Sequence, residues 1–295
     1  MTSHDVVSRA RRLLGERRIG HAGTLDPDAT GVLVLGVGRA TRLLRFATDL
    51  GKSYVAEVVL GVETDTLDGS GKVLAVHDLS GVTLGQLRAA AASLTGRIEQ
   101  VPPMVSALKI DGVRLHELAR AGIEVERPPR TVEVRRFEVS RAVGGVRGDD
   151  SELAGPVVRI EVDCSSGTYV RSLAADLGRG VGGGAHLRNL RRTSVGSFAE
   201  QDLVALDELS PASLRPSLHL VGHLRVGQVS SAAVETAVRH GKVLERSALE
   251  LAGPGPWAIC DATGELLAVY EAFRADRVKP AIVLAEAAAS PPAPR

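Results

Sequence analysis

The stretch Val157-Val158-Arg159-Ile160-Glu161-Val162-Asp163-Cys164-Ser165-Ser166-Gly167-Thr168-Tyr169-Val170-Arg171-Ser172-Leu173-Ala174-Ala175-Asp176-Leu177-Gly178 changes its hydrophobic period halfway along. Over residues 156 to 164, Val158, Ile160, Val162 and Cys164 alternate with Arg159, Glu161 and Asp163, which predicts a strand with one dry and one wet face. Past the Ser-Ser-Gly-Thr turn, Val170, Leu173, Ala174 and Leu177 recur at helical spacing with Gly178 behind them, which predicts a helix closed by a glycine. A second strand is expected over residues 131 to 139, and further β-branched segments lie at 32 to 37 and 53 to 62. Strands thus come in runs with few helices between them, so an α+β fold with a mixed, largely antiparallel sheet is expected.

Toward the N-terminus, Thr2-Ser3-His4-Asp5 resembles a capping box, and Val6, Val7, Ala10, Leu13 and Leu14 follow at helical spacing until Gly15. A Gly-rich loop is expected from Gly20 to Gly31, and a turn at Thr64-Asp65-Thr66-Leu67-Asp68-Gly69. Thr83 caps an expected helix carrying Leu84, Leu87, Ala90, Ala91 and Leu94, and a shorter helix is expected from Leu115 to Ala121, ended by Gly122. Toward the C-terminus, Ser210-Pro211-Ala212-Ser213-Leu214-Arg215-Pro216-Ser217 reads as a linker, which sets a boundary between residues 1–215 and a smaller domain at 219–290. In that domain a helix is expected from Ser231 to His240, and a hairpin from Trp257–Cys260 and Leu266–Phe273 around Asp261-Ala262-Thr263-Gly264. The Ala/Pro-rich tail from Ala287 to Arg295 is expected to be disordered, with residues 291–295 lying beyond the second domain.

The chain has 295 residues, 44% hydrophobic and 24% charged, enough for about two domains. Scattered Gly and Pro and only 2 Cys exclude collagen-like, disulfide-scaffold and extended disordered classes. No apolar run approaches the ~20 residues that span a bilayer, and no apolar signal core opens the chain, so no membrane association and a cytoplasmic location are expected. Cys164 and Cys260 have no ligand-spaced neighbours and read as small buried hydrophobes. The net charge is only +1, yet residues 1 to 50 set Arg9, Arg11, Arg12, Arg17, Arg18, Arg39, Arg42 and Arg45 against Asp5, Glu16, Asp26, Asp28 and Asp49, a local +3. Charge alone does not separate a basic binding face from solvated helix surface.

Gly178-Arg179-Gly180-Val181-Gly182-Gly183 matches a dinucleotide fingerprint as a string, but it follows a helix where that motif must follow a strand, so a nucleotide site is not expected. No P-loop, nucleophile elbow or His-Glu-x-x-His occurs, and no metal is expected. Asp65 and Asp68 read as turn residues rather than cation ligands. The informative stretch is Gly20-His21-Ala22-Gly23-Thr24-Leu25-Asp26-Pro27-Asp28-Ala29-Thr30-Gly31. Turn chemistry alone explains Asp26-Pro27, but His21 and Asp26 lie five apart in a loop whose glycines admit a large ligand, behind an Arg-rich helix.

These residues resemble the bacterial tRNA pseudouridine-55 synthase family, the TruB family. The resemblance is carried by Gly20-His21-x-Gly23-Thr24-Leu25-Asp26-Pro27-x-Ala29-Thr30-Gly31, by Tyr54, by Cys164-Ser165-Ser166-Gly167-Thr168-Tyr169-Val170-Arg171 and by Leu190-Arg191-Arg192, in order and register. Val101-Pro102-Pro103-Met104-Val105-Ser106-Ala107-Leu108-Lys109 adds a further family-like block, and the match is strong to about Phe198. It implies a catalytic domain of pseudouridine-synthase type followed by a small PUA-like RNA-binding domain. The implied reaction turns one uridine of the tRNA T-loop, at position 55, into its C-glycoside, with no cofactor and no metal. The implied partner is the T-arm of tRNA, with no obligate protein partner and a monomeric enzyme.

By the same resemblance Asp26 is the catalytic carboxylate, acting as nucleophile toward the sugar or as base on it. Arg171 is its partner, expected to lower its pKa and orient it. Tyr54 offers the target base a ring and a hydroxyl. A base inside a folded RNA loop must be swung out, and His21 is the residue expected to fill its place. Tyr169 and Leu190 are expected to wall the pocket, while Arg42, Arg191 and Arg192 are expected to meet phosphates. Two departures stand out: a strand and a Lys-Pro-x-Gly segment usually precede the Thr2-Ser3 position, which leads us to expect a missing N-terminal stretch, and Val105 stands where an aromatic is common. The competing classes are an RNA-binding protein without turnover, and a related synthase acting on ribosomal or guide-directed RNA.

Overall fold

The computed structural model describes residues 1–142, apart from 107, 111, 121 and 124, and residues 156–284. The expected terminal tail at 291–295 and the last residue of the expected helix at Ala121 lie outside the described residues. The chain packs as two compact units that are interleaved in sequence: Met1–Thr2, Thr24–Leu33 and Asp49–Leu203 form one, and Ser3–Gly23, Val34–Thr48 and Val204–Arg295 the other. A single cut near residue 215 is therefore not how the packing divides the chain.

The first unit is built on a seven-stranded sheet ordered Phe198–Ala199, Ala185–Val195, Lys52–Leu60, Val157–Cys164, Arg130–Arg141 and Gly96–Gln100, with Thr30–Gly31 paired off Ala185–Val195. All pairings are antiparallel except that of Thr30–Gly31, so the sheet is mixed and largely antiparallel. The alternation read in the sequence sets its two faces. Val158, Ile160, Val162 and Cys164 share a core with Tyr54, Ala56, Val58 and Leu60, onto which Leu87, Ala90 and Ala91 of helix Leu84–Ser93 and Leu173, Ala174 and Leu177 of helix Val170–Gly180 pack. Full burial of an aliphatic side chain of this size is worth roughly 1.5–3 kcal/mol, so this face fixes the register. The opposite face carries charge: Arg136 bridges Asp163 at 2.7 Å and Glu161 at 3.2 Å, and Arg188 bridges Glu57 at 2.8 Å.

Both helix signals have a visible basis. The Thr83 hydroxyl accepts from the Gln86 amide at 3.3 Å while the Gln86 side chain accepts from the Thr83 amide at 2.9 Å, a reciprocal cap. Helix Val170–Gly180 runs two residues beyond its expected glycine stop, and the amides of Val181 and Gly183 then close back on the Gly178 carbonyl at 3.2 and 3.1 Å. Those amides are spent on the helix end, so the Gly178–Gly183 run is a helix terminator.

In the second unit, helix Ser3–Leu14 packs Val7 and Ala10 against Ile19 and Leu209, and Arg9 forms an ion pair with Asp207. The antiparallel pair Ile19–Ala22 and Val34–Val37 shows that the expected Gly20–Gly31 loop begins as a strand. The C-terminal part is a five-stranded sheet ordered Arg225–Gln228, Trp257–Cys260, Leu266–Ala272, Arg277–Val283 and Leu244–Glu245, packed with helix Ala232–Arg239 around Trp257, Ile259, Leu267 and Tyr270. The expected hairpin and the Ser231 cap are both present. The stretch 210–217 read as a linker folds instead as the 3₁₀ turn Pro211–Ser213 and the start of a second, Ser217–Val221, because Pro211 presets the first and Leu220 and Val221 are buried in the second. Cys164 and Cys260 are both free thiols and buried. Among the described residues no helix is long and apolar enough to cross a membrane.

Candidate active site

In the first unit the segment Thr24–Leu33 lies along the sheet's Ala185–Val195 strand. Its end is held in parallel register, Thr30 beside Arg191 and Gly31 beside Arg192, and the Val32 amide donates to the Arg192 carbonyl at 2.8 Å. Gly31 has φ +97°, and a Cβ there would stand 2.1 Å from the Arg192 carbonyl oxygen, so only glycine permits this approach. Within the segment the Ala29 amide donates to the Asp26 carbonyl at 3.0 Å, closing the turn that presents the Asp26 side chain.

Arg171 meets that side chain from the first turn of helix Val170–Gly180, where the helix end adds partial positive charge. Its Nε lies 2.9 Å from Asp26 Oδ2 and its Nη2 donates to Asp26 Oδ1 at 3.0 Å, a bidentate pair. Nη2 also donates to the Val105 carbonyl at 2.8 Å, and Nη1 to the Thr66 carbonyl at 2.9 Å, with Asp68 Oδ2 at 3.5 Å. A guanidinium has five N–H donors, and these five contacts match that number, so the fork has one orientation. Arg171 is 4% exposed, whereas Asp26 keeps 39% of its side chain open to an incoming substrate.

The pairing of Asp26 with Arg171 is as expected, but the balance of forces on the carboxyl is not. Loss of hydration pushes the Asp26 carboxyl above its usual range; Arg171 pulls it down, and the nearby charge of Asp68 pushes it up again. The net direction is upward because partial burial outweighs the guanidinium. Chemistry that needs the ionised carboxylate is therefore present above this raised pKa and lost as pH falls through it, at a higher pH than an exposed Asp would give. Asp68→Asn removes the like charge and should shift the acid limb of the single-turnover rate to lower pH; an unmoved limb would show that Asp26 does not set it.

Tyr54 lies on the central strand opposite Val162 on one side and Arg192 on the other, and is 8% exposed. Burial pushes its phenol up to about 12, so it is neutral at physiological pH and can donate a proton but not serve as a base. Tyr169 immediately precedes the Arg171 helix and is half-buried. Gln100 clasps its backbone: the Tyr169 amide donates to Gln100 Oε1 at 2.7 Å and Gln100 Nε2 donates to the Tyr169 carbonyl at 3.1 Å. Leu190 packs on the edge of the same core. It sits in a bulge between Arg188 and Arg191, where Asn189 takes φ 51° and resets which residues face inward.

Of the three arginines expected at phosphates, Arg192 departs from that role. Arg191 is half-exposed but engaged, with Nε 2.5 Å from Glu200 Oε1. Arg192 has no exposed surface and donates inward to the Val32 carbonyl at 2.7 Å; a side chain with no solvent face has none to offer a phosphate. His21 and Arg42 belong to the second unit, His21 opposite Leu35 in a strand and Arg42 donating to the Val283 carbonyl at 2.6 Å while remaining exposed. Asp68 and Gln100 are site residues that the sequence did not single out. Asp68 is the turn former its sequence context implies, accepting from Thr66 Oγ1 at 2.7 Å and Ser70 Oγ at 2.6 Å on one oxygen while the other faces Arg171.

A carboxylate is thus gripped on both oxygens by a buried guanidinium and left partly open, with the buried, neutral phenol of Tyr54 on the same sheet. The model of the TruB family pseudouridylate synthase N-terminal domain matches residues 11–170, and that of the tRNA pseudouridylate synthase B C-terminal domain matches residues 171–220. The tRNA pseudouridine synthase B of Mycobacteroides abscessus is 43% identical over 287 residues, 96% of this chain and 92% of that protein. That of Rhodococcus jostii is 53% identical over 212 residues, 71% of this chain and 67% of that protein. Among solved structures, a chain of a Cbf5-Nop10-Gar1 complex is similar over 94% of this chain and 76% of its own length, with TM-score 0.69 and 27% identity. The chain belongs to the TruB family of pseudouridylate synthases. It is accordingly an isomerase.

Proposed function

We propose that this enzyme converts the uridine at position 55 in the T-loop of tRNA to pseudouridine. The observation that carries the reading is the clamp of Arg171 on Asp26, which leaves the carboxylate oriented and partly open. The names of the relatives, tRNA pseudouridine synthase B, support tRNA as the substrate. The N1 glycosidic bond of the uridine breaks, the base turns while held, C5 bonds to the sugar carbon, the C5 hydrogen is lost as a proton to solvent, and N1 takes up a proton, so the composition is unchanged. Asp26 supplies an ionised carboxylate as nucleophile toward the sugar or base on it.

The target base must first leave the folded loop, at a cost of a few kcal/mol, and His21 fills the space it vacates. Tyr54 meets the flipped base, and Tyr169 and Leu190 wall its pocket. Arg42 and Arg191 meet the RNA backbone, Arg191 by exchanging Glu200 for a phosphate. Residues 219–290 act as the PUA-like RNA-binding part, and the enzyme works as a cytoplasmic monomer without an obligate protein partner.

The test is tritium release from a tRNA transcript labelled at C5 of its uridines, beside a transcript carrying cytidine at position 55. One equivalent released from the first and none from the second supports the reading. Release from both, or from neither, would overturn the assignment to position 55.

A further inference from the structure

We propose that Arg192 is the positioning residue of the site: from within the sheet its guanidinium ties the Asp26 segment and the Tyr54 hydroxyl to one point. The inference rests on the pseudouridine synthase reading and concerns how its carboxylate and phenol are kept in mutual register. Arg192 is among the largest fully buried side chains in the protein, and burying a guanidinium is costly unless its donors are used. Nε donates to the Val32 carbonyl at 2.7 Å and Nη1 to the Thr24 carbonyl at 3.4 Å, so one side chain holds carbonyls on both sides of Asp26 in the sequence. Its own backbone carbonyl takes the Val32 amide at 2.8 Å, which anchors the same end of the segment a second time.

The third partner is Tyr54, which stands directly opposite Arg192 in the antiparallel register and so shares a face of the sheet with it. Arginine has donors and no acceptor, so toward this guanidinium the phenol oxygen can only accept. The phenol's own proton is then directed elsewhere, which suits a residue that donates to a substrate. The positive charge also pulls the phenol down against the burial that pushes it up. Lys52, itself buried and donating to the Leu50 carbonyl at 2.8 Å, lies close enough for the two cations to repel. A second cation beside Arg192 adds to the cost of keeping it there, a cost that an apolar side chain of similar volume would avoid.

The experiment compares Arg192→Lys and Arg192→Met with wild type in single-turnover tritium release, tRNA affinity across salt concentrations, and the double-mutant cycle with Tyr54→Phe. Arg192→Met should slow the chemical step about 100-fold, with affinity changed less than threefold and the salt slope unchanged, because misplacement rather than lost contact is the defect. Arg192→Lys, which keeps the charge but cannot reach all three oxygens, should recover part of the rate, and its effect should shrink in the Tyr54→Phe background. Where Arg192→Met does not fold, the lysine variant and its cycle carry the test. A lysine variant within threefold of wild type, effects that simply multiply with Tyr54→Phe, or lost affinity with a salt slope reduced by about one would each overturn the proposal. An inactive wild type would instead sink the functional reading on which it rests.

Discussion

Asp26→Asn should lower the single-turnover rate of tritium release by at least about 10³-fold while leaving tRNA affinity within threefold of wild type. The exchange is isosteric, so the turn closed by the Ala29 amide persists. What changes is chemistry on the open side and hydrogen bonding on the other. An amide is neither a nucleophile toward the sugar nor a base, so both candidate mechanisms stop. Opposite Arg171, one carboxylate oxygen becomes an NH₂ group facing a guanidinium N–H, a donor against a donor. RNA affinity comes chiefly from phosphate contacts, none of which this carboxylate can make. Loss of binding together with activity would mean that Asp26 shapes the RNA site instead of doing the chemistry.

Arg171→Lys should slow the same step by about 100-fold and lower stability by about 1–3 kcal/mol, read from the denaturant midpoint. Lysine keeps the charge but gathers its three donors at one atom. It cannot span both Asp26 oxygens while also satisfying the Val105 and Thr66 carbonyls, at least one of which loses its partner. Asp26 then keeps a neighbouring cation but loses its fixed orientation. If Arg171→Lys matched wild type in rate and midpoint, charge alone would suffice and the fork would be incidental.

Where periodicity decides, the fold was legible in the sequence. The 157–164 strand, the helix after it, and the C-terminal hairpin all stand where alternation and helical spacing placed them. The Asp26–Arg171 pair was legible only through the family resemblance, because the partners are 145 residues apart and nothing local links them. Arg191-Arg192 looked like a basic patch, yet adjacent residues on a strand face opposite ways, so one of the two had to point inward. Which one depends on the bulge at Asn189 and Leu190, a backbone irregularity with no reliable mark in composition. Asp68 was concealed by doing two jobs, since the turn it builds explained it fully, and Gln100 because a buried amide clasping a backbone has no local pattern.

The interleaving of the two units bears on how the chain is made. Residues 3–23 and 34–48 leave the ribosome well before residues 204–284, yet the groups that complete their packing include Asp207 and Leu209, and Arg39 donates to the Leu284 carbonyl at 2.8 Å. At roughly 5–20 residues per second, translation needs roughly 10 to 30 s to pass from residue 48 to residue 204. During that interval the amphipathic Arg-rich helix has Ile19, Leu35 and Val37 to pack on but lacks Leu209 and the Asp207 partner of Arg9, while the strands of the seven-stranded sheet are completed. Late-made residues thus finish packing that residues 3–48 began, and a fragment ending at Leu203 would leave that packing incomplete.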